Sequence, residues 1–238
     1  MLWTRNQKKV MVESKQRIVE IPTRLAKLYL VKGEESSVLV DTGFPGNGKR
    51  ITEFLIKKGI DPQKMALILI THGHIDHYGS ARELRELTGA PVAIHELDAE
   101  GPRKGIPAHL YPRGFLGRAI NFYSSRQRVE PFDPDIILQG DEDLGKYGVE
   151  GRVVLTPGHT PGSISVVLPE AAIIGDLIVG RFFFSRAPAY SSFVMDGEQL
   201  RQSVRRLLEY SPKVFLACHG GPFEPQAVAR KFLRHTLV

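Results

Sequence analysis

Thr71-His72-Gly73-His74-Ile75-Asp76-His77 sets three imidazoles and a carboxylate within six consecutive positions. The stretch directly follows Met65–Ile70, a continuous apolar run short enough to be a buried strand. Imidazole and carboxylate suit zinc, iron or manganese, and a set with coordination positions left open makes a catalytic site. His72 and His74 are two apart, so on an extended or looped backbone they point the same way. Asp76 and His77 begin the next helix and turn toward a second point in space. One segment can therefore reach two metals. The plain alternative is a group of solvated polar residues at a strand end. A lone histidine would favour that alternative, whereas four ligand-type residues in six positions favour ligation.

Three further segments share this placement. His159 lies in Thr156-Pro157-Gly158-His159-Thr160-Pro161-Gly162-Ser163, where Gly and Pro permit a tight turn behind a predicted strand. Asp176 closes the apolar run Ala171-Ala172-Ile173-Ile174-Gly175, and a carboxylate ending a buried strand needs a partner. His219 follows Val214–Ala217 and precedes Gly220-Gly221-Pro222. Taken singly these are a loop histidine, a capping or ion-paired aspartate and another loop histidine. Their common position at the C-terminal ends of strands raises all of them together.

The chain has 238 residues, 42% hydrophobic and 24% charged, which places it among ordinary globular proteins with material for a sizeable core. Its length fits one large α/β domain or two small ones. No apolar run is long enough for a membrane helix, and Met1–Lys15 is too polar for a secretory signal. The expectation is a cytoplasmic protein with no membrane partner. Cys218 is the single cysteine, which excludes an intramolecular disulfide and a Cys-rich zinc finger. The formal net charge of +6 suits an acidic ligand. Solubility is the preferred explanation, since Lys and Arg look spread along the chain and Arg201, Arg205 and Arg206 read as one solvated helix face.

Strands are expected at Arg17–Ile21, Ala26–Val31, Ser37–Asp41, Met65–Ile70 and Val92–Ile94, with helices at Arg50–Lys58 and Ala81–Leu87. A second series follows, with strands at Arg152–Leu155, Ser163–Leu168, Ala171–Ile174 and Val214–Ala217 and helices at Glu198–Glu209 and Pro225–His235. Two halves, each with strands first and helices later, predict two packed sheets with helices outside. Between them, residues 101–132 are rich in Pro, Gly, Arg and aromatics, with a short helix expected at Arg118–Arg126. Such an insertion commonly forms a lid or pocket wall, and it can equally be a dimer surface.

His-x-His-x-Asp-His at 72–77, Gly-His-Thr-Pro-Gly-Ser at 158–163, Gly-Asp at 175–176 and the late His219 together resemble the metallo-β-lactamase superfamily, as does Leu39-Val40-Asp41-Thr42-Gly43. The resemblance covers about Lys15 to His235. It implies an α/β, four-layer αββα sandwich, expected as a single domain over 1–238 with the insertion at about 101–132. It implies that His72, His74 and His159 hold one metal, that Asp76, His77 and His219 hold the other, and that Asp176 bridges the two. Asp41 would steady the ligands from behind.

The corresponding chemistry is hydrolysis by a hydroxide bridging two divalent ions, zinc first and iron or manganese as options, with Asp76 orienting the nucleophile and shuttling a proton. Within the family, Asp176 argues against a main β-lactamase activity. The nineteen residues after His219 leave no room for a glutathione-gripping helical domain, and no exosite for nucleic acid is evident. The expectation is a hydrolase of a small-molecule ester, thioester or lactone, with phosphoesters as an option. Arg103, Arg113, Arg181 and Arg186 could meet an anionic group, and Phe182-Phe183-Phe184 to Tyr190 could wall the pocket. The alternative is a mononuclear non-haem iron dioxygenase of thiols or persulfides, with the iron on His72, His159 and Asp176.

Overall fold

The computed structural model describes residues 16–23, 26–181 and 185–233. β1 (Arg17–Pro22), β2 (Lys27–Lys32) and β3 (Ser37–Val40) form an antiparallel meander. The chain then crosses through α1 (Gly48–Lys57) into β4 (Met65–Leu69), parallel to β3. A single turn, α2 (Ile75–Tyr78), and then α3 (Ala81–Thr88) return it to β5 (Val92–His95), parallel to β4. α4 (Glu100–Lys104) and α5 (Gly114–Ser124) precede β6 (Ile136–Leu138), which completes a sheet ordered β1 to β6.

The second sheet takes β7 (Glu142–Asp143), β8 (Arg152–Leu155), β9 (Ile164–Val167) and β10 (Ala171–Ile173) as antiparallel neighbours. A two-stranded ribbon of β11 (Val179–Gly180) and β12 (Pro188–Ala189) follows, then α6 (Gly197–Glu209), β13 (Val214–Leu216) and α7 (Pro225–Phe232). β13 lies parallel beside β10, giving the order β13-β10-β9-β8-β7.

The apolar runs are continuous because each inner strand is buried on both faces. Leu28, Leu30, Ile68 and Ile70 face one way and pack with Ile51 and Leu55 of α1 and Leu84 of α3. Their alternates Tyr29, Val31, Leu67 and Leu69 face the other way, against Val153, Ile164, Val166 and Ile173 of the second sheet. The far side of that sheet, through Val154, Ala172 and Ile174, receives Leu200, Val204 and Leu207 of α6 and Val228 and Phe232 of α7. Period-two alternation thus builds helix, sheet, sheet and helix: an αββα sandwich.

The strands and helices expected from the sequence are present with ends shifted by one or two residues. In the insertion, the helix expected at Arg118–Arg126 begins four residues earlier, at Gly114, and ends two residues earlier, at Ser124; Gly114, at φ 64°, supplies the left-handed turn into it. Residues 101–132 carry two helices, α4 and α5. β6 and β7 had no counterpart in the sequence reading, since three- and two-residue strands show no usable periodicity. The Phe182–Phe184 triplet lies outside the described residues, and the helix expected to reach His235 ends at Phe232, with Leu233 already out of it.

Candidate metal centre

The predicted ligands sit at one end of the two sheets, in loops or, for Asp76 and His77, in the single helical turn α2. β3 and β4 are parallel, so both finish at this end, and β10 and β13 do the same in the second sheet. Asp41 follows β3 with φ 63°, a left-handed conformation uncommon outside glycine. Its buried carboxylate accepts from Thr71 N–H at 2.8 Å, Thr71 Oγ1 at 2.8 Å, His77 Nδ1 at 2.9 Å and Cys218 Sγ at 3.2 Å. One carboxylate therefore joins the chain just after β4, the start of α2 and the chain after β13.

His72, His74 and His159 meet at three nitrogens. His72 Nε2 is 3.1 Å from His74 Nδ1, and His159 Nε2 is 3.2 Å and 3.1 Å from those two atoms. Hydrogen bonding behind the rings sets their tautomers. His159 Nδ1 donates to the Phe193 carbonyl at 2.6 Å. Thr71 Oγ1, whose proton goes to Asp41, accepts from His72 Nδ1 at 3.1 Å. Both Nε2 atoms are then bare, and buried lone pairs facing one another across 3.2 Å call for a cation. Tetrahedral zinc with Zn–N bonds of about 2.0–2.1 Å separates its ligands by about 3.3 Å, and the triangle matches that spacing.

The second group is Asp76, His77 and His219. Asp76 Oδ2 is 3.2 Å from His219 Nε2 and 3.7 Å from His77 Nε2. Asp176 extends one oxygen toward each group: Oδ1 lies 3.6 Å from both His77 Nε2 and His219 Nε2, and Oδ2 lies 4.0 Å from His159 Nε2. His74 Nε2, His77 Nε2 and Asp176 Oδ1 are buried with no hydrogen-bond partner. Unpartnered buried polar atoms are rare and costly, and the two that face this group, His77 Nε2 and Asp176 Oδ1, suit ligation of a cation. The donor set fits two divalent metals.

The electrostatics agree. Burial, reinforced by the neighbouring His159, pushes His74 down to about 3, and burial with nearby imidazoles lowers His72. Burial lowers His159 as well, against Asp176. This half of the site keeps its imidazoles neutral, as metal ligation requires. In the other half burial opposes charge, but His77 and His219 hold Asp76 and Asp176 below the usual carboxylate range. In return Asp176 and Asp76 outweigh burial at His219 and push it up to about 9. His77 is raised by Asp41 and Asp76 in the same way.

Sequence reasoning missed Asp98. It is 2% exposed, and its carboxylate accepts from Gly73 N at 2.8 Å, Thr160 Oγ1 at 2.6 Å and Gly162 N at 3.0 Å. Gly73 separates His72 from His74, and Thr160 follows His159, so Asp98 ties the two loops that supply the three-histidine triangle. The signal was available: Asp98 comes three residues after β5, a carboxylate behind a strand like Asp176. Phe193 was also missed; its ring lies 6.1 Å from that of His74. Of the arginines, Arg103 ion-pairs with Asp133 at 3.5 Å, and Arg113 stands over the Tyr190 ring at 5.4 Å. Cys218 lies behind the site at Asp41, with burial raising its thiol further out of range for a nucleophile.

The family model described as the metallo-beta-lactamase superfamily matches residues 24–219. The chain belongs to this superfamily. A metallo-beta-lactamase fold-containing protein of Sulfurisphaera tokodaii is 28% identical over 213 residues, which is 87% of this chain and 77% of that protein. A probable metallo-hydrolase of Bacillus subtilis is 25% identical over 230 residues, 88% of this chain and 86% of that protein. The crystal structure of a metallo-beta-lactamase family protein of Thermus thermophilus superposes with a TM-score of 0.65 at 26% identity, covering 93% of this chain and 79% of that one. As a superfamily member among metallo-hydrolases, the chain is a metal-dependent hydrolase. Among the described residues no helix is long and apolar enough to cross a membrane.

Proposed function

We propose that the chain, folded as one domain, is a binuclear hydrolase of small carboxylic esters, thioesters or lactones, with phosphoesters as the secondary class. The observation that carries this reading is Asp176, with one oxygen toward His159 and the other toward His77 and His219. A single-iron dioxygenase site on His72, His159 and Asp176 would leave the convergence of Asp76, His77 and His219 without a purpose. The two metals, zinc first among candidates, would supply Lewis acidity toward the substrate oxygen and a lowered pKa for water.

The protein's own groups supply the rest. His72, His74 and His159 would hold one ion, Asp76, His77 and His219 the other, and Asp176 would touch both. Asp41 and Asp98 hold the ligand loops in place from behind. Asp76 retains a second oxygen beside its contact to His219, and, kept ionised, it can orient the attacking water and carry its proton to the leaving group. The Phe193 ring gives the three-histidine side an apolar wall where an acyl group can lie.

The test is metal content per chain after purification without added metal, beside a panel of ester, thioester, lactone and phosphodiester substrates. Two metals, with hydrolysis lost in Asp76→Ala, are expected. One iron with thiol-dependent oxygen uptake and no hydrolysis would overturn the reading.

A further inference from the structure

One segment accounts for the net positive charge of the chain. Of 32 basic and 26 acidic residues, positions 101–129 hold six basic ones (Arg103, Lys104, Arg113, Arg118, Arg126 and Arg128) and no acidic one. The rest of the chain therefore carries 26 of each sign, and the whole net charge of +6 belongs to this stretch. That revises the sequence-based impression of evenly spread charge.

The same segment exposes apolar surface. Phe115 is 89% and Phe122 67% exposed, the two highest values among the large exposed hydrophobics. Both lie on α5, seven residues and two turns apart, so they share a stripe, with Arg118 and Ala119 between them. Arg126, in the turn just past the helix, lies over the Phe122 ring at 3.8 Å. Arg103 and Lys104 are paired with Asp133 and Glu100. For Arg113, Arg118, Arg126 and Arg128, no carboxylate lies within ion-pair distance among the described residues. An exposed Phe pair beside guanidiniums with no carboxylate partner suits contact with the headgroups of an anionic interface.

We propose that α5 docks this protein on the surface of an anionic lipid bilayer, with Phe115 and Phe122 entering the headgroup boundary and Arg113, Arg118, Arg126 and Arg128 meeting lipid phosphates. Charge complementarity selects an anionic partner. The outward aim of both rings selects a surface over a small ligand, since side chains this exposed line no cavity. Nucleic acid fits less well, because Arg126 already occupies a face of the Phe122 ring that a base would need for stacking. This is contact with one face of a membrane and needs no spanning helix. The expectation of no membrane partner rested on the lack of such a helix and of a secretory signal, and neither bears on contact with one face of a bilayer.

Docking would also place the metal centre at the bilayer surface. Arg113 N donates to the Ser192 carbonyl at 2.7 Å and Val194 N to the Tyr111 carbonyl at 3.0 Å. The 192–194 segment held in this way contains Phe193, which contacts His74 and accepts from His159.

Flotation of the full-length chain with vesicles tests the proposal. One set contains phosphatidylglycerol and phosphatidylcholine, the other phosphatidylcholine alone. At least tenfold stronger partitioning to the anionic set is expected, weakening as salt is raised. Phe115→Ala with Phe122→Ala, and separately Arg118→Glu with Arg126→Glu, should each reduce it at least tenfold. Lys57→Glu with Lys58→Glu, on the exposed end of α1, has the same charge change and should leave it within twofold. Circular dichroism verifies that each variant is folded. Equal partitioning to both vesicle sets, no partitioning, or equal loss with the Lys57/Lys58 control would overturn the proposal. So would tighter binding to a single-stranded RNA oligonucleotide than to the anionic vesicles, which would make α5 a nucleic-acid surface. None of these readouts depends on hydrolytic activity, so failure here leaves the binuclear reading intact.

Discussion

Replacing Asp98 with asparagine keeps its size and removes one acceptor oxygen. In the parent, Oδ2 accepts from Gly73 N and Thr160 Oγ1 while Oδ1 accepts from Gly162 N. The best amide orientation keeps oxygen toward the first two donors, which turns the NH2 toward Gly162 N, donor against donor. One buried hydrogen bond to a charged group is lost, worth about 1.5–3 kcal/mol, and one N–H is left unsatisfied, costing about 1–3 kcal/mol. The two figures overlap, so the expected net loss of folding stability is about 2–4 kcal/mol. With Asp98 only 2% exposed, water offers little compensation. Urea unfolding of the metal-free protein should show this loss as a lower midpoint with an unchanged slope. Competition against a chromogenic chelator should show metal affinity roughly 10–100-fold weaker, the usual effect of disturbing groups behind the ligands. A variant within about 0.5 kcal/mol of the parent and of unchanged metal affinity would refute the view that Asp98 holds the two loops.

Metal uptake should depend on pH through His219. Its metal-free pKa is raised to about 9, so at pH 7 a proton must leave before Nε2 can ligate. Apparent affinity should rise about tenfold per pH unit from 7 to 9 and level off above, more steeply if His77, also raised, loses its proton too. Calorimetric titrations in buffers of different ionisation heat would detect the released proton, and a flat profile would contradict the assignment. Gly158→Ala should be severe: Gly158 has φ 135°, and a Cβ would stand 2.5 Å from the backbone of Leu200 in α6. A loss of about 3 kcal/mol or more, or about 6–12 °C in Tm, should appear in thermal unfolding, and a shift under about 2 °C would show that the turn relaxes freely. In Tyr78→Phe, the Gly101 and Ile106 carbonyls that accept from the hydroxyl at 3.1 and 2.7 Å lose their donor. About 1–3 kcal/mol should be lost, with faster amide exchange at 101–108, and unchanged exchange there would count against the tether.

The sequence disclosed the layers because burial on both faces of the inner strands wrote their length into unbroken apolar runs such as Met65–Ile70 and Ala171–Ile174. It disclosed the seven proposed ligands because imidazole and carboxylate cluster where those runs stop. What it hid lies in relations between distant residues. Asp98 resembles any loop aspartate until the fold brings Gly73 and Gly162 to it across 25 and 64 positions. Asp41 was legible as a supporting residue only through family resemblance, and its contact with Cys218 spans 177 positions. β6 and β7 are too short to show a period. The charge of 101–129 was present in the sequence, but a fold was needed to show that Phe115, Arg118 and Phe122 share one exposed stripe of α5, with Arg126 lying over the Phe122 ring.

The division of the proposed ligands between the two sheets has a consequence for how the protein matures. His72, His74, Asp76 and His77 come from loops of the first sheet, whereas His159, Asp176 and His219 come from the second. On that division, neither of the two proposed metal seats would be completed by the first half alone. At roughly 5–20 residues per second, the stretch from His77 to His219 takes on the order of 10–30 s to synthesise, and through that interval the emerging chain offers only fragments of each seat. With the ligands divided as proposed, metal capture would follow translation and latch two finished sheets together. A chain made in the presence of a chelator, and given metal only after release, should reach the same metal content as one made with metal throughout.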